Sequence, residues 1–156
     1  MNETIVLGIA VLTAWVFMSY LRIPATVLFL SILIGKLFAE ELSLDVFDFI
    51  SGVAPVITPK GIQIGLLVLP AILTVIFLKG TVLKAKIFIN AIPLLLCLIT
   101  LALFLNPYFD VVSRLDEQQR IILTDNQNYV VAVSGLITLL STWLAGKSSS
   151  GHRKKK

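Results

Sequence analysis

Charge is scarce in this sequence. Only 14% of its 156 residues are Asp, Glu, Lys or Arg, while 57% are hydrophobic and the mean hydropathy is +0.95. An ordinary soluble domain carries about 25% charge, so a soluble globular protein is excluded. Cysteine and histidine are scarcer still, with Cys97 and His152 as the single examples of each. One of each, far apart in the chain, cannot assemble a zinc, haem or iron-sulfur site or a Cys/His nucleophile, and no cofactor or metal is expected. Cys97 lies inside the apolar run Ile87 to Leu105, out of reach of a disulfide partner or an aqueous oxidant, and reads as packing.

What the sequence has instead is a series of apolar blocks, each long enough to cross about 30 Å of hydrocarbon as a helix. They run from Thr4 to Leu21, Pro24 to Phe38, Gly61 to Leu78, Ile87 to Leu105 and Tyr129 to Ala145. The first is preceded by Glu3 rather than by a basic segment and lacks a small-x-small cleavage site, so it is expected to be a retained helix and not a signal peptide. The expected fold is therefore an all-α polytopic membrane protein with five transmembrane helices. Residues 1–146 form one helical domain and 147–156 a basic tail.

Basic residues resist translocation, so the short loops give an orientation. With the tail in the cytoplasm, that side holds Arg22, Lys79, Lys84, Lys86, Lys147, Arg153, Lys154, Lys155 and Lys156, which is nine of the thirteen basic residues. The other side takes Lys36, Lys60, Arg114 and Arg120 with all nine acids: Glu3, Glu40, Glu41, Asp45, Asp48, Asp110, Asp116, Glu117 and Asp125. The expected topology has the N-terminus outside and the C-terminus in the cytoplasm of a cell-membrane protein.

Two outer segments are too long for turns. Ser43 to Ser51 has the pattern of a short interfacial helix, with Ser43 as N-cap, an early Asp45, apolar Leu44, Phe47 and Ile50, and Gly52 as a stop. Pro107 to Leu123 places Tyr108, Leu115, Gln119 and Ile122 on one stripe, as in an amphipathic surface helix. Between the first of these and the third span, Val53 to Pro59 contains two prolines and is not regular helix. It is expected to lie over the bundle or dip shallowly into it.

Few residues carry functional signals. Lys36, one turn before Glu40, is the only charge that falls well inside a span. It either serves an ion path or snorkels to the outer interface and pairs with Glu40; snorkelling is the plainer reading. Pro70 and Pro93 interrupt the third and fourth spans, with Asn90 one turn before Pro93. Broken helices build transporter sites, yet proline is common in membrane helices, and no carboxylate accompanies these prolines, which weighs against ion coupling. Gly61 and Gly65 form a GxxxG pair, and Ser134, Thr138, Thr142 and Ala145 line one face of the fifth span, which reads as close helix packing or a wetted surface. Arg153, Lys154, Lys155 and Lys156 are expected to meet anionic lipid headgroups.

Leu21-Arg-Ile-Pro24, followed by apolar residues and Gly35, resembles a short stretch of the second-helix region of cation/proton antiporters. Those proteins use intramembrane carboxylates, and the spans here hold none, so the resemblance implies no antiport. No Ser/Lys, His/Asp or metal-ligand set of a membrane enzyme stands out either. The expectation is a non-enzymatic integral membrane subunit or accessory scaffold acting through helix association, as a homo-oligomer or with a membrane-protein partner, and without nucleic acid. The alternative is a small oligomeric pore or transporter, of which a holin-like protein is one variant.

Overall fold

Between Leu21 and Ala25 the chain reverses in three residues. The computed structural model describes residues 3–52, 58–82, 87–109 and 126–150, with the backbone alone at 3–10, 109 and 145–150. Helix α1 spans Glu3–Leu21 and ends where Arg22 takes φ 54°, unusual for a residue with a side chain. Pro24 follows in extended conformation (φ −71°, ψ 117°), and α2 runs Ala25–Glu41. Pro24 therefore takes the N-cap position, just outside the helix that the sequence has it begin, because its ψ of 117° is extended rather than helical.

The α2 residues Ala25, Leu28, Phe29, Ile32, Gly35 and Ala39 are buried at spacings of three and four, one continuous stripe. Leu42 ends α2 and opens α3, Ser43–Ser51; its N–H bonds Phe38 O at 3.0 Å and its carbonyl receives Val46 N at 3.0 Å. The short outer helix thus occupies the expected residues, with Gly52 at its stop, but Ser43 is not its cap. Leu42 takes the cap position, and Ser43 Oγ instead accepts from Gln63 Nε2 at 3.3 Å, tying α3 to the next helix.

That helix, α4, covers Pro59–Leu78. Thr58 caps it by accepting from Gly61 N at 3.2 Å, and Pro59 fits its first turn, where a missing N–H costs nothing. Pro59 is therefore helical, while 53–57 lie outside the described residues. Helix α5 spans Ile87–Phe109, carrying Pro93 and Pro107, and α6 spans Gln127–Ser150. The fourth span thus extends through Pro107, and the rest of the expected surface helix, 110–123, lies outside the described residues. Lys147 to Ser150, assigned to the tail by sequence, remain helical in α6. Residues 151–156 are outside the description.

Among the described residues the regular structure is all helical, in six helices, with α2 and α5 central. α2 packs on α4, α5 and α6, and α5 also packs on α1. At the end where α1 meets α2, the returning loop after α4 is clipped to the turn: Gly80 N donates to Leu21 O at 2.7 Å and Val82 N to Arg22 O at 3.1 Å. Two helices, Pro59–Leu78 and Ile87–Tyr108, are long and apolar enough to cross a membrane. The expectation of five spans is thus supported at two. α2 has 17 residues, about 25 Å at 1.5 Å rise, and α1 offers the shorter apolar stretch Val11–Leu21. α6 is diluted by Gln127, Asn128, Ser141 and Thr142.

Candidate functional site

The core of the bundle is apolar, built on Ile23, Leu28, Ile32, Leu67 and Leu94, with a few hydroxyls set into it, and its surface is largely apolar as well. Ser31, Thr74, Thr100, Ser134 and Thr138 are buried, whereas Phe17, Phe77, Phe88 and Leu136 are 60%, 75%, 88% and 60% exposed. Helical hydroxyls satisfy themselves by donating to the carbonyl one turn back. Ser31 bonds Val27 O at 2.8 Å, Thr74 bonds Pro70 O at 2.9 Å, Thr100 bonds Leu96 O at 3.0 Å and Thr138 bonds Ser134 O at 2.6 Å. Ser31 and Thr74 also meet each other at 2.5 Å, joining α2 to α4. Two hydroxyls own two hydrogens between them, so at any moment two of these three bonds are made.

Of the residues singled out by sequence, Asn90 has the most definite role. Its Oδ1 accepts from Ala25 N at 2.9 Å and its Nδ2 donates to Ile23 O at 2.6 Å. Both ends of the amide are engaged by the α1–α2 turn. Pro93 is fully buried just beyond it, and Trp15 Nε1 donates to Ala91 O at 2.8 Å, giving the deep tryptophan of α1 a partner on α5. Pro70 lies within α4 and offers its carbonyl to Thr74.

Lys36 Nζ lies 2.5 Å from Glu40 Oε1 and 5.3 Å from the centre of the Phe104 ring, with its side chain 32% exposed. The ammonium is flanked by a carboxylate on its own helix and an aromatic face on α5. This group is at the opposite end of the bundle from the Leu21–Gly80 clip.

The α6 face is divided. Ser134 and Thr138 are fully buried, Thr142 is exposed but meets Thr26 of α2 through its hydroxyl, and the Ala145 side chain is outside the described residues. Thr138 neighbours Cys97, whose thiol donates to Ala25 O at 3.3 Å. Among the described residues, Ser134 Oγ is buried without a hydrogen-bond partner, as is Ser19 Oγ.

Among the described residues, Gly61 and Gly65 make no helix contact of the kind a GxxxG pair permits. A Cβ at Gly65 would meet nothing within 4 Å, and one at Gly61 would meet only its own cap, Thr58 Oγ1. The close approach is at Gly35, where a Cβ would lie 2.9 Å from the Leu67 carbonyl carbon. Gly35 is the centre of a stripe of small residues at four-residue spacing, Ser31, Gly35 and Ala39, all buried; that spacing was the signal in the sequence, and the GxxxG at Gly61 and Gly65 masked it. Among the described residues no group of three His, Cys, Asp or Glu side chains gathers as a metal site. The chain matches no protein family, no curated protein and no solved structure.

Proposed function

We propose that the protein is an integral membrane subunit or scaffold that works through helix association, with all five long helices crossing the bilayer, the N-terminus outside and the C-terminus in the cytoplasm. The observation that carries this reading is the apolar exterior: phenylalanine, leucine and tryptophan side chains stand exposed along the helices, around an apolar core into which small hydroxyls are set. Lipid is as apolar as leucine, so in a bilayer small residues and interhelical hydrogen bonds hold helices together while large apolar groups face outward. Apart from Ser19 Oγ and Ser134 Oγ, the polar groups inside are engaged by backbone carbonyls, by each other and by the α1–α2 turn, which suits packing better than substrate binding. The open face at Gly61 and Gly65 is where a second copy or a partner helix packs.

Reporter fusions test the topology. A fusion at the C-terminus is expected to be cytoplasmic and one between Asn106 and Asn128 exported; a cytoplasmic signal from the latter position overturns the five-span arrangement. Crosslinking in native membranes should give oligomers or a defined partner adduct.

A second reading, a small oligomeric pore or transporter, draws on Ser134 Oγ alone. A buried hydroxyl without a partner costs about 1 to 3 kcal/mol and is tolerated more readily where water reaches it. Ion or solute flux from proteoliposomes holding the purified chain separates the two readings; the scaffold reading expects none above protein-free vesicles.

A further inference from the structure

We propose that the two clipped loops at the basic end form a binding site for the phosphate headgroup of an anionic phospholipid, with Arg22 and Lys79 as its cationic groups. This rests on the reading of the helices as membrane spans. The clip fixes backbone on both sides of the pair. Arg22 is held at φ 54° with its carbonyl receiving Val82 N, and Lys79 directly precedes Gly80, which sits at φ 80° with its N–H on Leu21 O. Two like charges from loops distant in sequence are thereby brought onto abutting backbone. Neither has a carboxylate partner among the described residues, where Lys36 and Glu40 form the one ion pair, at the other end of the bundle. Two cationic side chains carried on adjoining backbone without a counter-ion are the electrostatic complement of an anion. Guanidinium matches phosphate oxygens in a two-point fork, and the ammonium adds a point charge.

The surroundings select lipid over free phosphate. Tyr20, Phe77 and Phe88, 82%, 75% and 88% exposed, stand at the same helix ends, within two residues of α1 and α4 terminating and α5 beginning. Trp143, 61% exposed, is set at this level by the bond between its neighbour Thr142 and Thr26. Amphipathic rings prefer the headgroup layer, and apolar rings beside a phosphate site offer acyl chains a surface that a free ion does not need. The backbone on both sides of the site is held by hydrogen bonds between the two loops.

The test is lipid retention. The full chain is equilibrated in mixed micelles of phosphatidylglycerol and phosphatidylcholine, and the lipids kept by the protein are counted by native mass spectrometry. Phosphatidylglycerol is expected in excess. Arg22→Gln and Lys79→Gln should each lower the ratio about fivefold, as loss of about 1 kcal/mol per basic residue implies, and Arg22→Lys, which keeps the charge but not the fork, should restore part of it. Gly80→Val keeps both charges but forces a β-branched residue to positive φ, so it should lower the ratio as well; helicity by circular dichroism shows whether it folds, and if it does not, the two charge variants decide. Lys60→Gln, at the opposite end of α4, should leave the ratio unchanged. Equal losses from Lys60→Gln, no loss from Arg22→Gln and Lys79→Gln, or displacement of lipid by millimolar inorganic phosphate would each overturn the proposal. Micelles have no sidedness, so these outcomes are independent of the reporter fusions that test the orientation.

Discussion

Asn90 serves as the N-terminal cap of a helix 65 residues away, its Oδ1 lying 2.9 Å from Ala25 N. Pro24, which occupies the cap position itself, has no side-chain donor or acceptor to give, and α2 begins against α5 instead. Helix starts leave orphan N–H groups that must find acceptors, all the more so in surroundings without water. Because Asn90 also donates to Ile23 O, a single side chain sets where the chain turns and which helix it turns against.

Replacing Asn90 by Leu is therefore expected to be destabilising by about 1 to 3 kcal/mol, since it strands a buried donor and a buried acceptor. Asn90→Asp keeps the acceptor and loses the donor, and should fall between Leu and the parent. Unfolding in mild detergent, followed by circular dichroism, measures both. A loss of flux in proteoliposomes with unchanged unfolding would instead make Asn90 a pathway residue.

The glycines separate packing inside the protomer from packing between protomers. Gly35→Ala drives a Cβ into the Leu67 peptide group, and backbone on a helix cannot retreat as a flexible side chain can. Loss of stability of about 1 to 3 kcal/mol is expected, with α2 and α4 forced apart. Gly65→Ala has open space, so the isolated protomer should be unharmed, gaining up to about 1 kcal/mol in helix propensity. Gly65→Leu should leave the protomer folded and weaken any oligomer formed through this face. Oligomer distribution by crosslinking reads the second effect and thermal unfolding the first.

Helix positions were legible because apolar runs write them directly: α3 occupies its expected residues, and α1 starts within a residue of its expected start. Where the limits moved, polar residues compatible with helix carried it past the apolar block, as in Gln127, Asn128 and Lys147 to Ser150 of α6. The contacts that define the site were not legible, because they join distant segments. Trp15 with Ala91, Asn90 with the α1–α2 turn, and Gly80 with Leu21 leave no periodic trace in sequence. Small residues at four-residue spacing occur both at Gly61 and Gly65 and at Ser31, Gly35 and Ala39, and the close contact is at Gly35, since a motif records spacing and not which face meets a neighbour.

Lys36→Met is expected to be nearly silent. The pair with Glu40 lies on one helix and Glu40 is 55% exposed, so its net worth is about 0.3 to 0.5 kcal/mol, and methionine keeps the apolar stem against Phe104. Unfolding in detergent should change by no more than that, and proteoliposome flux should remain at background. Flux in the parent that disappears with Lys36→Met at equal protein level would assign the ammonium to an ion path.

Thr138 tests whether the α6 face is dry. It is fully buried, next to Cys97 of α5, with its hydroxyl turned back onto Ser134 O. Space is the constraint there, and interhelical hydrogen bonds in membranes average only about 0.6 kcal/mol, so bulk should matter more than polarity. Thr138→Leu is expected to lower the unfolding temperature in detergent clearly. Thr138→Val, which keeps the shape, should be mild, and Leu136→Ile, on a face 60% exposed, should be silent. The self-contained hydroxyl bond predicts this order: valine removes the donor and its need together, leaving Ser134 O with its backbone partner. If valine proves as damaging as leucine, the hydroxyl itself is required, and with the unpaired Ser134 Oγ beside it the face is wet, in line with the pore reading.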